Sequence, residues 1–292
     1  MNFAVLLLSI ATLFSFAAPL PDALDAKAAE WAAKGYKLKD RVSRTIDGVL
    51  VAAAVYAPSN GSGDRLEAYA VLKGKAYLGY THPGAAERLE FDDTPSGRGF
   101  QDLFKDGSSV LTYRSMIPVL HASSLQVLRY KRFKFERVAE FPEGRFEPAA
   151  GKTLLVSRDL PLGRFLTVGC EDFATVSQTA FRTRLHAPKK GGFADVSAKH
   201  PDYYAQEIER KTQVMNRLKA DLQKNAGEYL GLALSVYYDY SSRGEARKGW
   251  SRQKEFFTVA QVPAYAQGKV RACFNSMRQD LRKRLAVPAD WP

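Results

Sequence analysis

The sequence predicts an α+β protein, in which an N-terminal region of antiparallel β-repeats is followed by a C-terminal helical bundle. Two patterns support this prediction. Short apolar runs separated by turn residues occupy residues 46–200, which is typical of antiparallel strands. From Pro201 onward the apolar residues recur at intervals of three and four, the spacing of amphipathic helices.

Residues 1–17 carry the pattern of a secretory signal peptide. Residues 3–16 are apolar apart from scattered Ser and Thr, and this run is too short for a bilayer span of about 20 residues. Ser15 and Ala17 stand at the −3 and −1 positions of a cleavage site after Ala17. The pattern predicts a periplasmic or secreted protein; a buried N-terminal helix and an uncleaved anchor are the alternatives.

Residues 18–45 are expected to form a helical lead-in. The segment is rich in alanine, and Gly35 provides a helix end. Residues 49–56 then form an unbroken apolar run, which predicts a strand covered on both faces. A hairpin and a polar loop follow, and further strand-like runs cover residues 109–115, 125–141, 153–159 and 163–185.

These strands recur as three related units, residues 46–83, 105–142 and 151–201. An Asp-Gly pair precedes the first strand at Asp47 and again at Asp106, a shift of 59 residues. The same shift takes Pro83 to Pro142, and one further shift reaches Pro201. Units that recur at such a period indicate repeated copies of one supersecondary structure.

A DG turn, a buried strand and an aromatic hairpin ending in F-x-x-V resemble the FG-GAP or VCBS-type repeats of exported bacterial proteins. The resemblance covers about residues 45–205. It implies propeller-like blades, and because three units fall short of a closed propeller, an open array or a sandwich is the alternative. The family's turn binds calcium through several acids. Here Asp102 and Asp106 align with two of them, but Phe104 and Lys105 replace an acid and a glycine. A hard cation needs several oxygen ligands, so no metal or other cofactor is predicted.

Residues 201–292 are expected to form the helical domain, and a helical tail after such repeats also looks like other exported proteins of this kind. Pro201 suits the first turn of a helix because it lacks an N–H group and has a fixed φ. The helices are rich in tyrosine, and a groove lined by Tyr203, Tyr237 and Tyr238 would suit a partner protein.

The chain is basic, with 43 Lys and Arg against 31 Asp and Glu and a net charge of +12. Basic exported proteins are drawn to polyanions such as nucleic acid, lipid head groups or acidic wall polymers. In the RYKRFKF segment, cations and rings alternate, as they do on surfaces that pair phosphates and stack rings. The candidate contact residues are Arg129, Tyr130, Lys131, Arg132 and Lys134. The alternative is a hairpin whose rings face the core while its cations face water.

The two cysteines, Cys170 and Cys273, suit a disulfide in an oxidising compartment. A bridge between them would join the strand region to the last helix. By closing a loop of about 100 residues it would stabilise the folded state by up to about 4–5 kcal/mol in the chain-entropy model. Two buried free thiols are the alternative.

The sequence contains no catalytic or metal-ligand signature, so no catalytic residue is assigned. The histidines have no partner at zinc-site spacing, and no nucleophile elbow is present. Acids cluster at Glu87, Glu90, Asp92 and Asp93. They are interpreted either as a solvated loop or as paired carboxylates that could catalyse hydrolysis.

The functional prediction is an exported, non-catalytic binding or scaffolding protein that contacts anionic envelope polymers. A hydrolase of an extracellular or wall polymer, using the loop carboxylates, is the first alternative. An adaptor that holds a partner protein through the Tyr-rich helices is the second.

Overall fold

The computed structural model describes residues 22–84, 86–120, 122–149, 151–162, 176–261 and 269–291. These residues form a mixed α+β structure of three four-stranded antiparallel sheets, and most of the helical residues follow the sheets. The predicted fold class is confirmed at this level. In these ranges no helix is long and apolar enough to cross a membrane.

Sheet 1 follows a short helix. The side chain of Asp22 caps helix α1 (Ala23–Ala33) by accepting a hydrogen bond from the backbone N–H of Leu24 at 3.3 Å. Sheet 1 has the strand order β1-β2-β3-β4. Its strands are β1 (Tyr36–Ile46), β2 (Val49–Pro58), β3 (Arg65–Leu72) and β4 (Lys75–Thr81).

The short helix expected to end at Gly35 is present as α1, but residues 36–46, most of the rest of the predicted lead-in 18–45, form strand β1. Among the described residues this strand pairs with β2 alone, and its side chains are at least partly exposed and many are charged. A β-bulge between Leu38 and Asp40 also interrupts its alternation. Together the charges and the bulge remove the period of two by which a strand is recognised.

Sheet 2 has the order β5-β6-β7-β8. Its strands are β5 (Arg88–Phe91), β6 (Ser109–Ile117), β7 (Ala122–Lys131) and β8 (Lys134–Pro142). The acidic segment predicted as a loop contains β5, whose Leu89 and Phe91 are buried between exposed neighbours. Only four residues alternate here, which is too few for the pattern to stand out from a polar loop.

Sheet 3 has the order β12-β11-β10-β9. Its strands are β9 (Arg145–Ala149), β10 (Lys152–Asp159), β11 (Arg182–Lys189) and β12 (Gly192–Asp195). The strand predicted over residues 163–185 is wrong in part, because residues 176–179 form a single helical turn, α2 (Val176–Thr179). Val176 is buried in the cluster of the C-terminal helices, and this contact favours the turn over a strand. Residues 163–175 lie outside the described part of the chain.

Apolar clusters join the three sheets in chain order. One cluster combines Leu66 of sheet 1 with Tyr113 of sheet 2, and a second combines Val127 of sheet 2 with Phe193 of sheet 3. Helix α1 covers the other face of sheet 1 through Leu24. Strand β2 is therefore buried on both faces, as its apolar run predicted.

The described residues after sheet 3 include four α-helices, α3 (Pro201–Leu218), α4 (Leu222–Ser242), α5 (Ala246–Gln261) and α6 (Lys269–Arg284). Pro201 opens α3, as its fixed φ predicted. Tyr204 of α3 packs with Leu154 and Leu185 of sheet 3, while Met215 of the same helix belongs to the helical core. Residues 229–240 of α4 are all buried, so this helix is the centre of the C-terminal layer.

A buried ion pair joins α3 to α4. The Nζ atom of Lys211 lies 2.6 Å from Oδ2 of Asp239, and both side chains are 0 % exposed. The same Nζ lies 4.6 Å from the centre of the Phe181 ring. Burial raises the pKa of Asp239 to about 6 and lowers the pKa of Lys211. Because neither charge is in contact with water, each is stabilised mainly by the opposite charge of its partner.

Candidate functional site

The predicted basic segment forms a tight hairpin between β7 and β8. Lys131 pairs with Lys134 across the two strands, which leaves Arg132 and Phe133 as a two-residue turn. Both turn residues have positive φ, 49° and 64°. This is the geometry of a type I′ turn, which matches the twist of a hairpin and normally selects Asn and Gly.

Tyr130 does not present a stacking surface, contrary to its predicted role. Its side chain is 4 % exposed and its ring lies 4.9 Å from the ring of Phe135 in the cluster between sheets 1 and 2. The exposed ring is that of Phe133, at 62 %. The rings of Tyr130 and Phe135 therefore face the core, as the alternative interpretation of the hairpin predicted. The exposure of Phe133 was not predicted, because the alternation of a strand does not extend into a turn.

Two of the four predicted cations are held by acids, and the other two form no ion pair with any described residue. Arg129 Nη2 lies 2.8 Å from Oε2 of Glu136, its cross-strand partner. Lys131 Nζ donates to the backbone oxygen of Asp106 at 2.9 Å and lies 3.3 Å from its carboxylate. Across the described part of the chain, the exposed side chains of Arg132 and Lys134 form no ion pair. The four cations and Glu136 line a shallow depression of about 290 Å³.

Asp106 occupies the turn that resembles a calcium loop. Its carboxylate accepts hydrogen bonds from the backbone and hydroxyl of Ser108 and contacts Lys131, and its pKa is lowered chiefly by the Ser108 hydroxyl. An ammonium group and a hydroxyl thus take up its oxygens. Among the described residues, no three His, Cys, Asp or Glu side chains form a group that could hold a metal ion.

The hairpin is one of three similar turns at the same end of the three sheets. The turn between β3 and β4 is Lys73-Gly74, and the turn between β11 and β12 is Lys190-Gly191. Arg129 Nη1 donates to the backbone oxygen of Gly191 at 3.3 Å, which places the turns of sheets 2 and 3 side by side.

A second contact places this end of sheet 1 beside sheet 2. Ile46 and Val49, on either side of the turn between β1 and β2, pack in the same apolar cluster as Tyr130. In a meander the turn between β1 and β2 lies at the same end as the turn between β3 and β4. The Lys73-Gly74 turn therefore shares this end of the stacked sheets.

We call this end the basic turn row. Its cations are Lys73, Lys75, Arg129, Lys131, Arg132, Lys134, Lys189 and Lys190. Its acids are Asp47, Asp106 and Glu136, so positive charge dominates. Repeat positions supply the cations: Lys75 and Lys134, one shift of 59 apart, open β4 and β8.

Three of the four acids predicted as a source of catalytic carboxylates make structural contacts, and the fourth, Asp93, is exposed. Oε1 of Glu90 lies 3.6 Å from Nζ of Lys39 in β1. Oε2 of Glu87 lies 2.9 Å from Nε2 of the buried His82 and also accepts a hydrogen bond from Ser115. Asp92 forms an ion pair with Arg114. These contacts join neighbouring strands of sheets 1 and 2.

The tyrosines predicted to line a partner groove lie in two separate clusters. Tyr237 and Tyr238 are each 6 % exposed and pack with Trp250, whereas Tyr203 packs with sheet 3. They do not form one exposed apolar groove.

Ser157 and His186 form a buried polar pair in sheet 3. The Oγ atom of Ser157 lies 2.9 Å from Nε2 of His186, but both side chains are buried and burial lowers the pKa of the histidine. The predicted disulfide cannot be placed, because Cys170 and the side chain of Cys273 lie outside the described residues. His121 lies outside them as well.

Comparison of the chain with protein-family models, with curated proteins and with solved structures gives no match.

Proposed function

We propose that the chain is an exported, non-catalytic protein that binds an anionic polymer of the cell envelope along the basic turn row. In this proposal the three sheets are propeller-like blades in an open array, and α3 to α6 are a helical bundle that covers the last blade. The observation that carries the proposal is the recurrence of exposed cations at equivalent hairpin turns of three adjoining sheets.

The arrangement of the turns favours a polymer over a small anion. Packed sheets lie about 10 Å apart, so neighbouring turns repeat at about that interval. A row of cations at regular intervals matches charges that repeat along a chain, whereas a small anion needs several donors converging on one point. The sheets hold the turns in place, so binding does not have to order the backbone of the row.

The strained turn at the centre of the row supports a functional role for its residues. A left-handed backbone costs about 1–2 kcal/mol for each residue other than glycine. Arg132 and Phe133 both adopt it, and both are exposed. Asn and Gly would close the same turn with less strain. A guanidinium and a ring at this point would contact an acidic group and a sugar or base of the bound polymer.

The ion pairs on either side of the turn have a separate task. Glu136 and Asp106 hold Arg129 and Lys131, and thus fix the two strands next to the turn. Arg132 and Lys134 have no such partners within the described ranges. Binding should therefore depend most on these two free cations, and a polymer need not displace an internal acid to reach them.

The test is a pair of charge reversals with the same change in net charge. The row variant is Arg132→Glu with Lys134→Glu, and the control is Lys219→Glu with Lys224→Glu, two exposed residues of the helical region. Binding to single-stranded oligodeoxythymidine, to polyphosphate and to lipopolysaccharide is measured between about 50 and 200 mM salt.

The proposal predicts that the row variant loses affinity and that the control keeps it. The slope of log affinity against log salt should fall by about 0.7 to 0.9 for each lost phosphate contact. Equal losses in both variants would mean that net charge alone acts, and absence of binding at low salt would reject the proposal. Tighter retention on one of the three polymers at high salt identifies the polymer class.

A further inference from the structure

A cleft of about 850 Å³ lies at the opposite end of sheet 3 from the basic turn row. Its walls come from the first residues of β11, from the segment that links β12 to α3, and from the last turns of α4 and α6. The volume falls in the usual range of sites for small molecules, about 300–1,000 Å³. Neither the polyanion proposal nor the resemblance assigns this cleft a role.

Positive charge exceeds negative charge in its lining. Arg182, Arg184, Lys199 and Arg284 line the cleft, against one acid, Asp195. Arg182 is held by Asp159 through two hydrogen bonds of 3.1 and 2.6 Å, so it is already neutralised.

The remaining acid, Asp195, lies close to Arg184. Oδ2 of Asp195 lies 3.6 Å from Arg184, a loose contact, while its Oδ1 accepts a hydrogen bond from the backbone of Ser197 at 2.9 Å. Lys199 is exposed and has no ion pair in the described part of the chain. The cleft therefore keeps a positive charge that an incoming anion would balance.

Hydroxyl donors complete the lining. Burial raises the pKa of Tyr238 to about 12 and also raises the pKa of Tyr237, so both phenols remain protonated donors at neutral pH. The Tyr238 hydroxyl is buried, yet it has no hydrogen-bond partner among the described residues. A bound acceptor that reaches this hydroxyl would supply the hydrogen bond that the described residues do not. Ser241 and Ser242 add two aliphatic hydroxyls to the same wall.

We propose that this cleft binds a small organic oxyanion, a phosphate or carboxylate group on a hydroxylated ring the size of a sugar. Arg184 and Lys199 pair with the oxyanion, and the hydroxyls of Tyr238 and the serines bond to the ring substituents. Asp195 competes with the oxyanion for Arg184. The site is separate from the basic turn row, so either proposal can fail without the other.

Titration calorimetry of the full chain tests the proposal with four probes: glucose 6-phosphate, glucuronate, inorganic phosphate and glucose. The two charged sugars should bind at least ten-fold more tightly than inorganic phosphate, and glucose should not bind. The stronger of the two charged sugars identifies the oxyanion. No binding by either charged sugar, or equal binding by glucose, overturns the proposal.

Variants then locate the site. Arg184→Gln with Lys199→Gln should weaken binding of the charged sugar at least ten-fold, whereas Lys190→Gln in the basic turn row should leave it unchanged. Asp195→Asn removes the competing charge and should tighten binding several-fold, a gain that a damaged fold would not produce. Equal affinities for the double variant and the wild-type chain, or a loss in Asp195→Asn, overturn the assignment.

Discussion

The Lys211→Met substitution should destabilise the helical layer strongly, because it leaves Asp239 buried without a counter-charge. With Lys211 only 2.6 Å away, the pKa of Asp239 is already about 6. Without the lysine, the folded protein must hold the carboxyl in its neutral form. Removing one partner of a buried pair costs about 3–5 kcal/mol in general.

The cost can be worked out from the protonation it requires. An unfolded aspartate has a pKa of about 3.9, and each pH unit above that value adds about 1.4 kcal/mol to the cost of the neutral form. The penalty on Asp239 is therefore about 4 kcal/mol at pH 7 and about 1.5 kcal/mol at pH 5. Since the folded state of the variant binds one more proton than the unfolded state, its stability falls as the pH rises through this window.

Urea unfolding followed by helical circular dichroism at the two pH values measures this effect. The matched variant is Lys211→Met with Asp239→Asn, which lacks the titrating group. Compared with this double variant, Lys211→Met should lose about 1.4 kcal/mol of stability for each pH unit between 5 and 7. A loss below about 1 kcal/mol at pH 7, or a difference between the two variants that does not change with pH, would refute the reasoning.

Three other predictions test the turn, a buried histidine and a close helix contact. Arg132→Asn should raise the free energy of unfolding by about 0.5–1 kcal/mol, because Asn tolerates the left-handed backbone, and it should also lower the affinity for polyanions. Denaturant unfolding measures the first effect and titration with a polyanion measures the second. A loss of stability would contradict the strained turn. Burial lowers the pKa of His186, so as the pH falls below about 6.5 the unfolded state binds a proton at this histidine before the folded state does, and the protein loses stability. His186→Gln should reduce the loss of stability between about pH 7.5 and 5.5, measured by urea unfolding. The same loss in the variant and in the wild-type chain would contradict this prediction. Gly231→Ala should cost about 1–3 kcal/mol despite the better helix propensity of Ala, because the new Cβ would overlap Thr179 of α2; a thermal melt that shows stabilisation would refute this contact.

The sequence predicted those parts of the fold whose signals are local. The apolar run of β2 indicated a strand buried on both faces, and Pro201 indicated the start of α3; both are confirmed. Strand β1 escaped detection because an exposed edge strand with a bulge has no clean alternation. The turn α2 escaped because its helical form depends on packing against α4, a contact distant in sequence.

The candidate site was predictable only in part, for a similar reason. The hairpin at residues 129–134 follows from its sequence, but alternation alone could not decide which ring is exposed, and Tyr130 faces the core while Phe133 lies in the turn. The neighbouring turns join the hairpin only through the stacking of three sheets. One signal was available: the shift of 59 residues that relates Lys75 to Lys134 already aligned two cations at equivalent turns.

Lysine footprinting tests the central claim most directly. The full chain is acetylated with and without saturating polyanion, and the modification of each lysine is measured by mass spectrometry. The basic turn row predicts protection of Lys73, Lys134 and Lys190, with Lys219 and Lys224 of the helical region modified at the same rate in both samples. Uniform protection of all lysines, or protection confined to the helices, would contradict the account.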